Sequence, residues 1–280
     1  MSLKDILAIV LDAETDEPAI AMAQHLAAAE DAHLAGVFLT ALPDEPLAYE
    51  PTVVAGVWAE LLNRARSQAE DERRKVDARL ASSRRPYELR TVEALGRDLG
   101  RIAAVHARYA DLAIMTRPRD DRASDIRLDM IEGVLFHAGR PAMVVPPGWT
   151  ERALGKTVAI AWDASREATR ALAEARPFLA HCDKAIVLTV DAKPKAFGHG
   201  EQPGLNICAH LKRRGVQATV KNVESGDRPV SRALLEEAEA IGADLMVMGA
   251  YAHSRLREMV FGGATRDLLE TARIPLLMAH

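Results

Sequence analysis

Residues 248–270 read MGAYAHSRLREMVFGGATRDLLE and hold the residue types from which an anion cradle is built. Gly249, Gly262 and Gly263 carry no Cβ, so the backbone there can approach an oxyanion closely and take φ values that other residues avoid. GGATRDLLE also fits the start of a helix, where the amides of Gly263 and Ala264 would donate to an anion with help from the helix dipole. The same residues would equally serve a plain strand-to-helix turn. Other chemistries have no motif to stand on: no GxxxxGK[ST], GxSxG or HExxH run occurs. FGHGEQPG misses the dinucleotide fingerprint because Pro203 holds its third glycine position, so a loop is expected. The nine histidines lack metal-ligand spacing, and the two cysteines, Cys182 and Cys208, form no CxxC pair and read as small core residues.

The elements that must position this stretch occur twice. ILAIVLD (residues 6–12) and TVAIAWD (157–163) are short β-branched runs that end in Asp12 and Asp163, as buried parallel strands would. An Ala-rich helical segment and a second apolar run follow each, LAGVFLTA in one half and AIVLTVDA in the other. VEALGRDLGRI then matches VESGDRPVSRA, YADLAIMT matches GADLMVMG, and both halves close on a proline and an apolar run, RPAMVV and IPLLMA. Strands alternating with helical patterns imply an α/β fold: two similar doubly wound domains, each with a mostly parallel five-stranded sheet and helices on both faces. The boundaries fall at residues 1–147 and 156–280, with 148–155 as the linker inside PPGWTERALG. The closing strands, Ala142–Val145 and Leu276–Ala279, are expected at sheet edges that pair domain to domain, because an uncovered edge invites aggregation. The first half alone carries a long amphipathic segment, VVAGVWAELLNRARSQAEDERRKVDARL. Its residues Val54, Trp58, Leu61, Leu62 and Ala65 recur at helical spacing, which predicts a helix with that face in the core.

Composition narrows the function classes. A net charge of −4 gives no support for a nucleic-acid or anionic-membrane partner. The first residues carry acidic groups around a short apolar run and do not read as a signal peptide. No uninterrupted apolar stretch reaches 18 residues, so no spanning helix is expected. A reduced, cytoplasmic protein is the expectation.

Strand–Asp, helix, strand, helix, ADLxVMG, a variable loop and a terminal Pro-apolar strand together resemble the universal stress protein family. The likeness covers nearly the whole chain twice, in the manner of its tandem members. In nucleotide-binding members the fourth strand is followed by Gly, two residues, Gly, nine residues, then Gly and a Ser or Thr. Here Gly249, Ala252 and Gly262–Gly263 take those places with the nine-residue spacing intact. Ala252 replaces the middle glycine and Gly263 the hydroxyl residue, while Thr265 lies two positions on. No nucleophile–base pair is identified, so no enzyme is expected, and slow ATP hydrolysis would need a metal and a positioned water. The resemblance implies a stress-response regulatory protein that binds ATP or AMP, with or without magnesium, in the second half. It implies that Asp163 contacts the base or ribose; as a plain structural residue, Asp163 would cap the helix near Ser165. It also implies that Val190 and Met248 line an adenine slot, though both would serve as core. The first half keeps Asp12 but has Thr116 for Gly249, and Leu128 and Asp129 where Gly262 and Gly263 stand, so no nucleotide is expected there. A ligand-free pairing module, joining domains within the chain or chains in a homodimer, is the alternative.

Overall fold

A computed structural model describes residues 2–43, 51–83, 85–118, 123–150, 154–194, 200–251 and 263–280, without the side chains of residues 51–55. The first half runs β1 (Asp5–Val10), α1 (Glu17–Glu30), β2 (His33–Leu42), α2 (Pro51–Ala81), β3 (Tyr87–Leu95), α3 (Leu99–Ala107), β4 (Leu112–Thr116), α4 (Ser124–His137) and β5 (Ala142–Val145). The second runs β6 (Thr157–Ala161), α5 (Arg166–Glu174), α6 (Arg176–Leu179), β7 (Lys184–Val190), α7 (Leu205–Lys212), β8 (Ala218–Val223), α8 (Val230–Ala240), β9 (Leu245–Gly249), α9 (Ala264–Thr271) and β10 (Leu276–Ala279). Strands with helices on both faces bury both sides, which is why β1, β4, β5 and β10 are almost wholly apolar rather than alternating.

Strand order repeats between the halves, but the expectation of two separate sheets is corrected. The order is β3-β2-β1-β4-β5-β10-β9-β6-β7-β8 in one ten-stranded sheet. Every pairing within a half is parallel, and the halves join where β5 and β10 pair antiparallel. The closing strands are therefore internal, as the edge argument required, and their union is what makes the sheet continuous. Leu277 stands opposite Met143, and each is the second residue after its half's closing proline. A local pseudo-twofold axis thus passes through that pair, with both residues fully buried.

The axis leaves equivalent helices on the same face. One apolar layer gathers residues of α1, α2, α5 and α7, and the other those of α3, α4, α8 and α9. Both layers run across the junction. The free edges are β3 and β8, where charged side chains such as Glu88, Arg90 and Lys221 discourage further strand pairing.

α2 departs from its expected role. Val76 and Leu80, in its last turns, are fully buried, and Gln24 of α1 donates to the carbonyls of Arg79 and Leu80 at 2.8 and 3.1 Å. Toward its start Trp58, Leu62 and Ala65 are half-buried, while Val57 and Leu61 are 56% and 47% exposed. The periodicity is real, but a helix of 31 residues spans about 46 Å and outruns the sheet beneath it.

Candidate functional site

In the second half the chain leaves β6 through α5 toward β7, while β9 pairs along the other side of β6. Connections diverge at such a point and leave a crevice at the carboxyl ends of the strands. Asp163 follows β6 there and is exposed. Its Oδ1 accepts from the amide and the hydroxyl of Ser165 at 3.0 and 2.5 Å. Ser165 itself caps α5, its Oγ accepting from the Ala168 amide at 3.1 Å. Asp163 thus braces the cap without being it, and among the described residues its Oδ2 takes no protein partner.

Gly249 ends β9 and needs its missing side chain for packing. A Cβ there would lie 2.4 Å from the Ala168 nitrogen and 2.6 Å from the Glu167 carbonyl carbon, so α5 could not start where it does. Glu167 is 4% exposed at this point. Burial pushes its pKa up, but the bond from Arg166, its own backbone amide and the His280 charge together hold it below the usual carboxylate value. The crevice therefore has a buried negative charge beside Gly249, which the motif did not announce. An acid two residues into the helix after the strand-end Asp163 was the only sequence sign of it.

α9 begins as GGATRDLLE suggested. Gly263 is its N-cap at φ −75°, ψ 145°, with no side-chain cap, so its first amides lack acceptors within the helix. Because that φ is negative, Gly263 does not owe its identity to backbone conformation. Ala264 opens the helix, and Thr265, 5% exposed, accepts the Tyr251 amide on its Oγ1 at 3.2 Å. That bond ties the first turn of α9 to the end of β9. Tyr251 takes φ +57°, a conformation that costs a non-glycine residue roughly 1 kcal/mol. Its hydroxyl donates to Glu132 of α4 at 2.8 Å, and Phe136 packs against both Tyr251 and His280, at 5.0 and 4.6 Å between ring centroids. This aromatic cluster spans the two halves, and sequence reading missed it because its members come from separate segments. Ala252 and Gly262 lie outside the described residues.

Met248 is 6% exposed on β9, and Val190 is half-buried at the end of β7. Both belong to the apolar layer on the α8 and α9 side, with β6 between their strands. The structure therefore brings Asp163, Gly249, Gly263, Ala264 and Thr265 to one end of the sheet and sets Met248 and Val190 into the face beside them.

The equivalent end of the first half is filled by its own side chains. Asp16 accepts the amides of Leu11 and Asp12 on Oδ2, at 2.7 and 3.0 Å. Arg127 reaches back from α4, its Nε donating to Asp16 Oδ1 at 3.1 Å and its Nη2 to Thr15 Oγ1 at 2.6 Å, and both Arg127 and Asp16 are 2% exposed. Burial raises the Asp12 pKa, but bonds from Thr15 and Glu14 and the Arg127 charge outweigh it and hold the carboxyl below its ordinary value. Leu128 and Asp129, matched in sequence with Gly262 and Gly263, are not loop residues facing a cradle. They sit inside α4, which starts earlier relative to its proline than α9 does.

Residues 155–280 match the sequence profile of the universal stress protein family. Among curated protein sequences none matches the chain. A universal stress protein from Archaeoglobus fulgidus DSM 4304 superposes with a TM-score of 0.63 at 15% identity, covering 98% of this chain and 96% of that one. A protein from Pseudomonas aeruginosa UCBPP-PA14, provisionally assigned to the same family, does so with 0.54 at 13% identity, covering 99% and 93%. A functionally unknown protein from Pseudomonas aeruginosa PAO1 gives 0.53 at 15% identity, covering 99% and 92%. At these identities the likeness is one of fold, and it extends over both halves. The second half, residues 155–280, thus carries the sequence pattern of the universal stress protein family, and the likeness of fold extends over both halves.

Proposed function

We propose that the protein is a stress-response regulator that binds an adenine nucleotide, ATP or AMP, at the carboxyl ends of β6 and β9. One observation carries the reading: the uncapped start of α9 is tied by the Tyr251–Thr265 bond to the end of β9, at the same strand ends as Asp163, whose Oδ2 has no partner among the described residues. In this reading the amides of Gly263 and Ala264 hold phosphate, Asp163 takes the hydroxyl or amine donors of the ribose or base, and Met248 and Val190 back the ring. Among the described residues no group of three or more His, Cys, Asp or Glu side chains could hold a metal ion. The role is binding, with no catalytic step assigned. Among the described residues no helix is long and apolar enough to cross a membrane.

Calorimetry of ATP against the full chain tests this directly. Saturable heat with one site per chain is expected, and it should vanish in Gly262→Asp, which adds like charge and bulk at the cradle. Undiminished binding by Gly262→Asp would move the site elsewhere. No heat and no thermal stabilisation of the parent protein at millimolar ATP would favour the second reading, a ligand-free interaction module. That reading has its own support: Gly249 is explained by the approach of α5 alone, and Glu167 already places a negative charge beside it.

A further inference from the structure

The helix crossing that Gln24 latches in the first half stands open in the second. α7 has 8 residues where α2 has 31, so among the described residues no helix continues across α5. Ile207, in the place of the fully buried Val76, is only half-buried, as is Trp162. Between α5–α6 and α7 lies a groove of about 650 Å³. Its apolar lining includes Trp162, Leu172, Leu179, Ile207 and Leu211.

The groove is charged at one end. Arg176, His210, Arg213 and Arg214 line it, and among the described residues no carboxylate does, in a protein whose net charge is −4. Among the described residues none of the three arginines meets an acidic partner; Arg214 instead donates through Nε to His210 Nε2 at 3.1 Å. Burial lowers the His210 pKa, and the charges of Arg214, Arg213 and Arg176 lower it further, so all three guanidinium groups act at one point. Uncompensated like charges around a half-buried imidazole are a standing electrostatic cost that an anion would relieve. By helix rise, Arg176 lies on the order of 15–20 Å from the Asp163 end of α5, so the charged end is remote from the β6–β9 crevice, which the groove's other end approaches at Trp162 and Ala164.

We propose that this groove binds an amphipathic organic anion, its headgroup at Arg176, His210, Arg213 and Arg214 and its apolar body along Leu172, Ile207 and Leu211 toward Trp162. Charge at one end and an apolar floor along the rest exclude a purely polar anion and a neutral lipid alike as preferred occupants. The headgroup end shares no residue with the proposed nucleotide site.

Dodecanoate is the probe, below its micelle concentration, with 1-dodecanol and acetate as controls on the full chain. Saturable 1:1 calorimetric binding of dodecanoate is expected, at least tenfold tighter than either control. Arg213→Ser/Arg214→Ser should weaken it at least tenfold, and Ala173→Trp, which fills the groove from an exposed position, should abolish it. The His210 imidazole should titrate at higher pH by NMR when dodecanoate is bound, and ATP binding should be unchanged in both variants. Equal affinity for 1-dodecanol, indifference to the arginine substitutions, or absence of saturable binding would each overturn the proposal. Failure of dodecanoate together with a change of oligomeric state in the arginine variant would also overturn it and assign the groove to a second copy of the chain.

Discussion

Arg127 shows how one residue can decide what a crevice does. A guanidinium that is 2% exposed must be compensated, and Asp16 with Thr15 supplies the partners. Replacing it by methionine leaves the Asp16 carboxylate buried without that cation, so Arg127→Met should destabilise the chain by about 3–5 kcal/mol in urea denaturation. Arg127→Met/Asp16→Asn should recover part of that loss. A cost under 1 kcal/mol for the single variant, or strict additivity in the pair, would show the ion pair to be incidental. None of this was legible locally, because Asp16 and Arg127 meet only once β1 and β4 lie side by side. Gly249, by contrast, stood out in the sequence, but for a reason that only the structure supplies. Its glycine identity follows from the Ala168 nitrogen that a Cβ would meet, whatever else binds there.

Helix pairs tell the two halves apart. A Cβ on Gly133 would sit 2.1 Å from the Gly100 carbonyl oxygen, so α3 and α4 meet backbone to backbone. Ser231 and Asp267 occupy the equivalent places, and there a hydroxyl donates to a carboxylate at 3.1 Å across a groove of about 700 Å³. Gly133→Ala should therefore cost about 1–3 kcal/mol by forcing α3 and α4 apart, whereas Gly139→Ala, with open space around it, should be felt only through its positive φ. Comparison of urea midpoints checks this; equal small losses at both sites would contradict the close contact. Periodicity located the long first-half helix well, but the face it set in the core is only half-buried, and the buried residues are Val76 and Leu80. It could not say where the sheet beneath would end, which is what leaves Val57 and Leu61 exposed.

The whole molecule is one sheet carrying two copies of a pattern. Repeated strand–Asp and ADL segments were enough to expect two similar doubly wound halves, and the need to cover terminal edges was enough to expect β5 beside β10. That the apolar layers would then run unbroken across the junction needed the register itself. Cooperative unfolding should follow. Scanning calorimetry is expected to show a single transition whose calorimetric and van't Hoff enthalpies agree, despite the 280-residue length. Two resolved transitions would mean that the β5–β10 seam opens before either half melts.

The seam through Met143 and Leu277 also frees the two sides from having to match. Where identical chains meet on an axis, every substitution is made twice and must suit its own image. Here the residues that correspond to Tyr251 and Glu132 are Pro118 and Arg266, and Arg266 turns instead to Glu270 on its own helix. The Tyr251–Glu132 bond is therefore made once, by one half upon the other. A single gene carrying both partners can keep such one-sided contacts through inheritance, because a change on either side is expressed in one dose and never meets its own mirror image.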